Sequence, residues 1–302
     1  MSAKTLNQFI CLKENISEKE YNEINTLQDI ISSKDKVNLK LELDYRLKIN
    51  KNSEGVLKNI NEFLYYVDDI LVAYLGISCF GGNVAEINGM THPDWRRKGI
   101  FKKLFELAMN ECSKRSFNKI LLLADGKSDL GIKFIEAVGG KYEVSEYRME
   151  VINTTSSENI NLINLRKAEK SDKKEIGRQD SIFFDNKKES ENLVDRAEIR
   201  NDAEIRIETS YMIELNNTTI GKINIEYNDN SAFISGFGIL PEFRGKGYGK
   251  VALKEAIKLI NVININIVQL DVSCKNNRAL NLYQSCGFQE QSVMNYYEYN
   301  TK

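Results

Sequence analysis

Several residue types are scarce or uncommitted in this chain, and each scarcity removes a class of function. One histidine, His92, stands among 302 residues, so a site built on several imidazoles has no ligands to draw on. The five cysteines, at positions 11, 79, 112, 274 and 286, are odd in number and form no CxxC pair. Neither a disulfide framework nor a four-thiolate zinc site is expected from them, and no metal is expected at all. Apolar runs are short: ILVAYLGI, Ile70 to Ile77, falls far below the roughly 20 residues that a membrane helix needs. The start MSAKTLNQFI has no positive-then-apolar signal pattern. A cytoplasmic location without a membrane partner is the expectation. No sign of charge dominates, with 42 Lys+Arg against 43 Asp+Glu, which argues against a nucleic-acid partner held by a general basic field.

What is present is ordinary in amount and unusual in arrangement. At 34.6 kDa and 42% hydrophobic residues, the chain is long enough for one large domain or two of moderate size. HPDWRRKGIFKKL from His92 and LPEFRGKGYGKVA from Leu240 resemble each other, and Arg96 and Arg244 lie 148 positions apart. Gly139 and Gly287 are separated by the same 148, and the only two prolines, Pro93 and Pro241, coincide at that offset. A fixed offset is the mark of an internal repeat. It predicts two domains, 1–155 and 160–302, with a boundary near the polar stretch Asn153 to Asn159.

Periodicity gives each repeat the same order of elements. In the second, a strand from Ile163 enters a helix capped by Ser171 or Asp172, and the charged region Lys173 to Arg206 is helical or looped. SYMIELN and TIGKINIEYND are strands joined through Asn216 and Asn217, SAFISGFGILP a third strand, and GYGKVALKEAIKLI an amphipathic helix. IVQLDVSC, ALNLYQSC and VMNYYEY follow as strand, helix and strand. In the first, Ser17 and Glu20 form a capping box before a helix to about Ile31. EFLYYV, ILVAYLGISC and NVAEINGM are strands, GIFKKLFELAMNEC a helix, KILLLA a strand, LGIKFIEAV a helix, and YEVSEYRMEV closes the unit. Lys34 to Leu57 fits no pattern. The expected class is α/β, with a mixed sheet in each repeat.

The segment Arg244-Gly245-Lys246-Gly247-Tyr248-Gly249 joins an apolar strand to an amphipathic helix. Glycines there allow a tight turn and close approach, while the unpaired amides of a helix start attract an anion such as a diphosphate. The spacing lacks the G-K-[ST] of a triphosphatase loop and the glycine pattern of a dinucleotide fold.

RGKGYG together with LDVSCKNNRALNLYQSCGF, Leu270 to Phe288, resembles the signature of the Gcn5-related N-acetyltransferase (GNAT) superfamily. The first part matches its Q/R-x-x-G-x-G/A motif, and Asn276, Ala279, Tyr283, Gly287 and Phe288 match its N-x-x-A-x-x-x-Y-x-x-x-G-F pattern. The resemblance covers most of Ile163 to Tyr299 and, more weakly, residues 60–150. It implies two tandem acyl-CoA N-acyltransferase domains, each a mostly antiparallel sheet flanked by helices, the first a degenerate copy. It implies acetyl-CoA as acyl donor, a primary amine of a small molecule or peptide as acceptor, and a monomer or homodimer. By the same resemblance, the backbone of Phe237, Gly238 and Ile239 binds the pantetheine arm. The turn Arg244, Gly245, Lys246, Gly247, Tyr248, Gly249 and Lys250 takes the diphosphate, and Asn276 lies near the pantetheine. Tyr283 protonates the departing thiolate and Asp271 stands where relatives have a catalytic carboxylate.

Elementary chemistry asks for such groups: the amine must lose a proton before attack, and the expelled thiolate must gain one. Glu226 and Glu214 compete with Asp271 as proton acceptor. Cys274 has no activating histidine and is read as packing, His92 as a local structural residue, and Trp95 as a packing anchor. At offset 148 the first repeat keeps Arg96 and Gly99 but has Phe101 for Gly249, Ser128 for Asn276 and Ile135 for Tyr283. An isoleucine donates no proton. A non-catalytic acyl-CoA-binding regulatory protein is the competing reading.

Overall fold

A computed structural model describes residues 6–48, 59–79, 83–152, 163–184, 207–228 and 230–300. The stretch Asn153 to Asn159 lies outside them. The first repeat contains β1 (Gln8–Lys13), α1 (Glu18–Asp35), α2 (Leu43–Lys48), β2 (Glu62–Val67), β3 (Ile70–Ser78), β4 (Val84–Thr91), α3 (Ile100–Lys114), β5 (Lys119–Asp125), α4 (Asp129–Val138) and β6 (Lys141–Ile152). The second contains β7 (Asn164–Lys167), α5 (Lys173–Phe184), β8 (Ser210–Leu215), β9 (Thr218–Tyr227), β10 (Ser231–Ile239), α6 (Tyr248–Val262), β11 (Ile267–Ser273), α7 (Asn277–Ser285) and β12 (Gln289–Tyr299). Helices α3 and α6 start 148 residues apart and both run for 15 residues.

Local chemistry explains most boundaries. Ser17 and Glu20 form the capping box of α1, which runs to Asp35 and ends on Lys36 in the left-handed conformation. Asn216 and Asn217, at φ 48° and 63°, supply the tight β8–β9 turn that asparagine tolerates well. The helical turn before α5 is capped by Glu169 and Asp172 together, rather than by Ser171. Two elements escaped the sequence reading, β1 and the short α2.

Two tandem domains, each with its own sheet, are not what forms. The strands make one twelve-stranded mixed sheet in the order β1-β2-β3-β4-β5-β12-β6-β11-β10-β9-β8-β7. The reason is where the closing strand of each repeat pairs. β12, the chain's last strand, lies antiparallel to β5, with Tyr297 opposite Leu122. β6 lies antiparallel to β11, with Met149 opposite Leu270. The two compact units accordingly comprise 1–145 with 292–302, and 146–291.

Each unit has its own core. In the second, Ile223, Ile225, Ala232, Ile234, Leu270 and Val272 pack under Ala252, Leu253, Ala256 and Ile257 of α6. In the first, Phe63, Ala73, Leu75, Ile87 and Leu122 pack under Ile100, Leu104 and Ala108 of α3. The opposite face of the first unit holds a buried polar group. Arg46 of α2, 6% exposed, lies 2.7 Å from Glu62 of β2, 2% exposed. Tyr74 donates to the other Glu62 oxygen at 2.6 Å, and burial pushes its phenol well above the ordinary range.

Removing one member of a buried pair strands the other charge, which costs about 3–5 kcal/mol. Arg46→Ala is therefore expected to destabilise the first unit by about that amount, read as a lowered urea midpoint. An unchanged midpoint would show that Glu62 finds another partner.

Candidate active site

The second unit's site begins where two parallel strands part. β10 and β11 are paired only from Ser231–Ile267 to Ile234–Leu270. Beyond that point each strand continues without the other, β10 to Ile239 and β11 to Ser273. On its other side β10 stays paired to β9 but with an irregularity: Ser235 faces Asn224 and Gly238 faces Lys222, so Gly236 and Phe237 together oppose Ile223. This extra residue is a β-bulge, which redirects backbone groups at one point of a strand.

Gly236, at φ 54°, is needed there on two counts. Its backbone is left-handed, and a Cβ would run into the Asn224 amide and crowd the Lys222 ammonium. Phe237 turns to the other face of the sheet, where its ring stands 3.7 Å from the place a Gly249 Cβ would take. The backbone of Phe237, Gly238 and Ile239 thus borders the opening between the strands.

The turn at the end of β10 is preorganised. Arg244 Nε donates to the Ile239 carbonyl at 2.7 Å, tying the strand end to the turn. Gly245 and Gly247 have φ 77° and 83°, and a Cβ on either would meet no heavy atom within 4 Å. Gly247 is the N-cap of α6 and offers no side chain. The first bonds of the helix ladder come from Lys250 and Val251 to the Gly247 carbonyl, at 3.0 and 3.2 Å. The amides of Tyr248 and Gly249 precede that ladder and suit an anion. Lys246 and Lys250 are exposed beside them.

The downstream motif lies on β11 and α7. Asn276 caps α7, its Oδ1 accepting from the Ala279 amide at 3.1 Å, a structural role that sequence reading did not assign. Tyr283, on α7, is 9% exposed and packs edge-on to Phe288 at 5.9 Å. Burial raises its phenol to about 12. Asp271 is the first β11 residue past the last β10–β11 pair, and both its oxygens are engaged by Arg148 of β6, at 2.5 and 3.0 Å. Leu270 and Val272 face the α6 core, so Asp271 lies on the other face of the sheet. Of the competing carboxylates, Glu214 is taken by Arg166 at 2.7 Å, whereas Glu226 sits opposite Phe233 on the same face as Asp271. Cys274 is a part-buried free thiol. Among the described residues no cluster of three or more His, Cys, Asp or Glu could hold a metal ion, and no helix is long and apolar enough to cross a membrane.

Sequence reading missed the face beneath the bulge. Lys222 is 1% exposed, with Asp180 of α5 at 2.7 Å. Gln179 and Ser210 are fully buried, and Ser210 donates to the Asn224 Oδ1 at 2.9 Å. The alternation in TIGKINIEY marks Lys222 as lying on the face away from the core; that α5 covers that face is not written in the motif.

The first unit repeats the frame and changes its lining. β4 and β5 are paired only from Val84–Lys119 to Ile87–Leu122, and Arg96 Nε donates to the Thr91 carbonyl at 3.0 Å. The β3–β4 register, however, runs without a bulge from Ala73–Thr91 to Ser78–Glu86. Phe101 fills the opening, its ring 2.8 Å from where a Gly89 Cβ would stand, and Ile135 is buried at the position of Tyr283. His92 caps the following turn, Nδ1 accepting from the Asp94 amide at 3.3 Å. A groove of about 430 Å³ remains, lined among others by Met90, Trp95, Arg97, Phe101, Lys102 and Phe134.

Comparison with known proteins supports the fold. Residues 176–288 match the model of the acetyltransferase (GNAT) family. Over 69 residues, 23% of the chain, it is 38% identical to the uncharacterized N-acetyltransferase YycN of Bacillus subtilis, covering 44% of that protein. Over 54 residues, 18% of the chain, it is 33% identical to the spermidine N(1)-acetyltransferase of Vibrio cholerae, covering 31% of it. The chain thus spans less than half the length of these curated relatives. Among solved structures, a GCN5-related N-acetyltransferase from Sphaerobacter thermophilus superposes with a TM-score of 0.73, covering 96% of this chain and 95% of that one, at 13% identity. A tandem GNAT protein from the clavulanic acid biosynthesis pathway gives 0.66, with 97% and 98% covered, at 12% identity. The fold is the GNAT fold.

Proposed function

We propose that the chain is an acetyl-CoA-dependent N-acetyltransferase acting on a primary amine, with its reaction centre in the unit formed by residues 146–291. The observation that carries this reading is the opening between β10 and β11, which leads to a glycine turn whose amides precede the helix ladder. An extended ligand with amide groups along its length and a diphosphate at one end fits that combination: backbone beside Phe237, Gly238 and Ile239 for the arm, the turn from Arg244 to Lys250 for the charge.

In this reading the acceptor amine attacks the thioester carbonyl directly, the C–S bond breaks, and Tyr283 gives its proton to the departing thiolate. Burial suits Tyr283 to that task, because a phenol near 12 stays protonated across the neutral range. The proton lost by the amine goes to Asp271, whose orientation Arg148 fixes. The acceptor is a small molecule or a peptide amine.

A second reading rests on the groove of about 430 Å³ in the first unit. With Ile135 in place of a phenol, that groove is suited to binding without transfer, as in an acyl-CoA-responsive regulator. We place the chemistry in the unit formed by residues 146–291 for this reason.

Gly247→Val should abolish acetyl-CoA binding to the second unit, since it forces a left-handed backbone on a β-branched residue and fills open space. Calorimetry on the full chain measures this. Affinity unchanged in a folded variant would displace the diphosphate site, and residual weak binding would report the first unit's groove.

Tyr283→Phe should lower turnover roughly 10-fold to 1000-fold with acetyl-CoA affinity nearly unchanged, the range for a lost general acid. In the wild type, the contribution of Tyr283 should persist as pH rises from 7 to 10 and decline only through about 12. A pH–rate profile with an alkaline loss near 10 that vanishes in the variant would contradict the assignment.

Asp271→Asn should slow transfer most at pH 7, and the deficit should shrink as pH approaches about 10, where an unshifted alkylamine sheds its own proton. A deficit constant across that interval would remove Asp271 from the proton path.

A further inference from the structure

We propose that the groove of about 430 Å³ in the first unit is a binding site for a small amphipathic anion, an apolar body bearing one acidic head, of which a medium-chain carboxylate is the simplest form. The groove is the one on which the second reading above rests. The proposal names its ligand, in place of an acyl-CoA, and it stands whether or not the unit formed by residues 146–291 transfers acetyl.

The route that an acyl-CoA would need is closed by packed rings. Gly89 stands 148 positions before Phe237, so a pantetheine arm laid along β4 as proposed for β10 would run past it. Phe101 occupies that place, its ring 2.8 Å from where a Gly89 Cβ would stand. The ring is itself braced: it meets Phe134 of α4 edge-on at 4.9 Å, and Phe134 meets Phe105 edge-on at 5.4 Å. Rings in mutual edge-to-face contact form a wall of the groove. The space left beside that wall is within the roughly 300–1,000 Å³ of small-molecule sites.

The lining divides by chemistry. Ile31, Val37, Leu39, Met90, Trp95 and Leu130 make an apolar body, and Leu130 is 52% exposed, an apolar side chain left to water that a ligand would cover. Five charged residues also line the groove: Asp35, Arg96, Arg97, Lys102 and Lys133. Asp35 is spent on Arg96, which donates to it through both terminal nitrogens at 3.2 and 2.5 Å. Arg97, Lys102 and Lys133 remain, all exposed, and the lining holds no second carboxylate to answer them. Lys102 has Glu106 one turn along α3 at 3.9 Å, an exposed pair of little worth. An apolar body edged by three such cations is complementary to an apolar molecule with a negative head.

Two further features point the same way. Thr91 Oγ1, on the groove lining, is buried and makes no hydrogen bond among the described residues. Buried hydroxyls are seldom left so, and an oxygen of an acidic head would satisfy it. Arg97 is left-handed, at φ 62°, where the matching residue of the second unit is Gly245 at φ 77°. That backbone disfavours any L side chain and suits glycine, so local stability gives no reason for arginine at 97. A guanidinium kept there against the backbone's preference is the kind of outlier that collects at ligand sites.

The chain has a single tryptophan, Trp95, and it lines this groove, so tryptophan emission of the full chain reads the site directly. Titration with sodium decanoate should change that emission saturably. Acetate, which has the head alone, and decylamine, which has the same chain with the opposite charge, should each bind more weakly by about tenfold or more. Lys133→Glu should weaken decanoate roughly 5-fold to 25-fold at low salt, since it replaces one exposed attraction by a repulsion, and the deficit should narrow as salt is raised. Arg97→Gly should also weaken decanoate without lowering the urea midpoint, a combination that a purely structural arginine would not give. Whatever acetyl-CoA affinity calorimetry finds in the wild type should be kept in both variants, which separates this site from the reaction centre. An emission that does not respond saturably, or decylamine binding as tightly as decanoate, would overturn the proposal. Displacement of decanoate by acetyl-CoA at equal or lower concentration would overturn it too, and would identify the groove as a second acyl-CoA site.

Discussion

Two parallel strands that stop pairing in the interior of a sheet leave a row of backbone donors and acceptors with nothing to satisfy them, and buried unpaired groups are costly. The parting of β10 from β11 after Ile234 and Leu270 imposes this condition on the second unit, and much of the local sequence answers it. Arg244 takes the carbonyl at the end of β10. Lys222 takes the carbonyl at the bulge. What these side chains leave over is amides at the start of α6, and free amides at a helix start are a surface for phosphates. The site is thus less a set of added groups than the remainder after the strand gap has been partly satisfied from within.

The two units differ in the residues that stand at corresponding positions beside the strand gap. Phe237 against Gly249 in one unit becomes Gly89 against Phe101 in the other: the large and small residues trade places, and the ring crosses the gap. Tyr283 against Phe288 becomes Ile135 against Gly140, where a Cβ on the glycine would stand 2.5 Å from the isoleucine. Close-packed interiors tolerate exchange when the local volume can be rebalanced: the first pair trades large for small across facing positions, whereas the second is smaller at both. Both units keep a packed core at these positions with different side chains.

The sequence made legible whatever depends on neighbours along the chain. The capping box at Ser17 and Glu20, the asparagine turn at 216 and 217, and the glycine turn before α6 are all local, and each is formed as the residues imply. Pairing of distant segments was not legible. Nothing in YEVSEYRMEV says that it lies beside IVQLDVS, yet that pairing brings Arg148 to Asp271 across 123 positions. The helix over Lys222 was hidden for the same reason: an alternating strand reports that a residue faces away from its core, but only the course of α5 decides whether water or a carboxylate waits there.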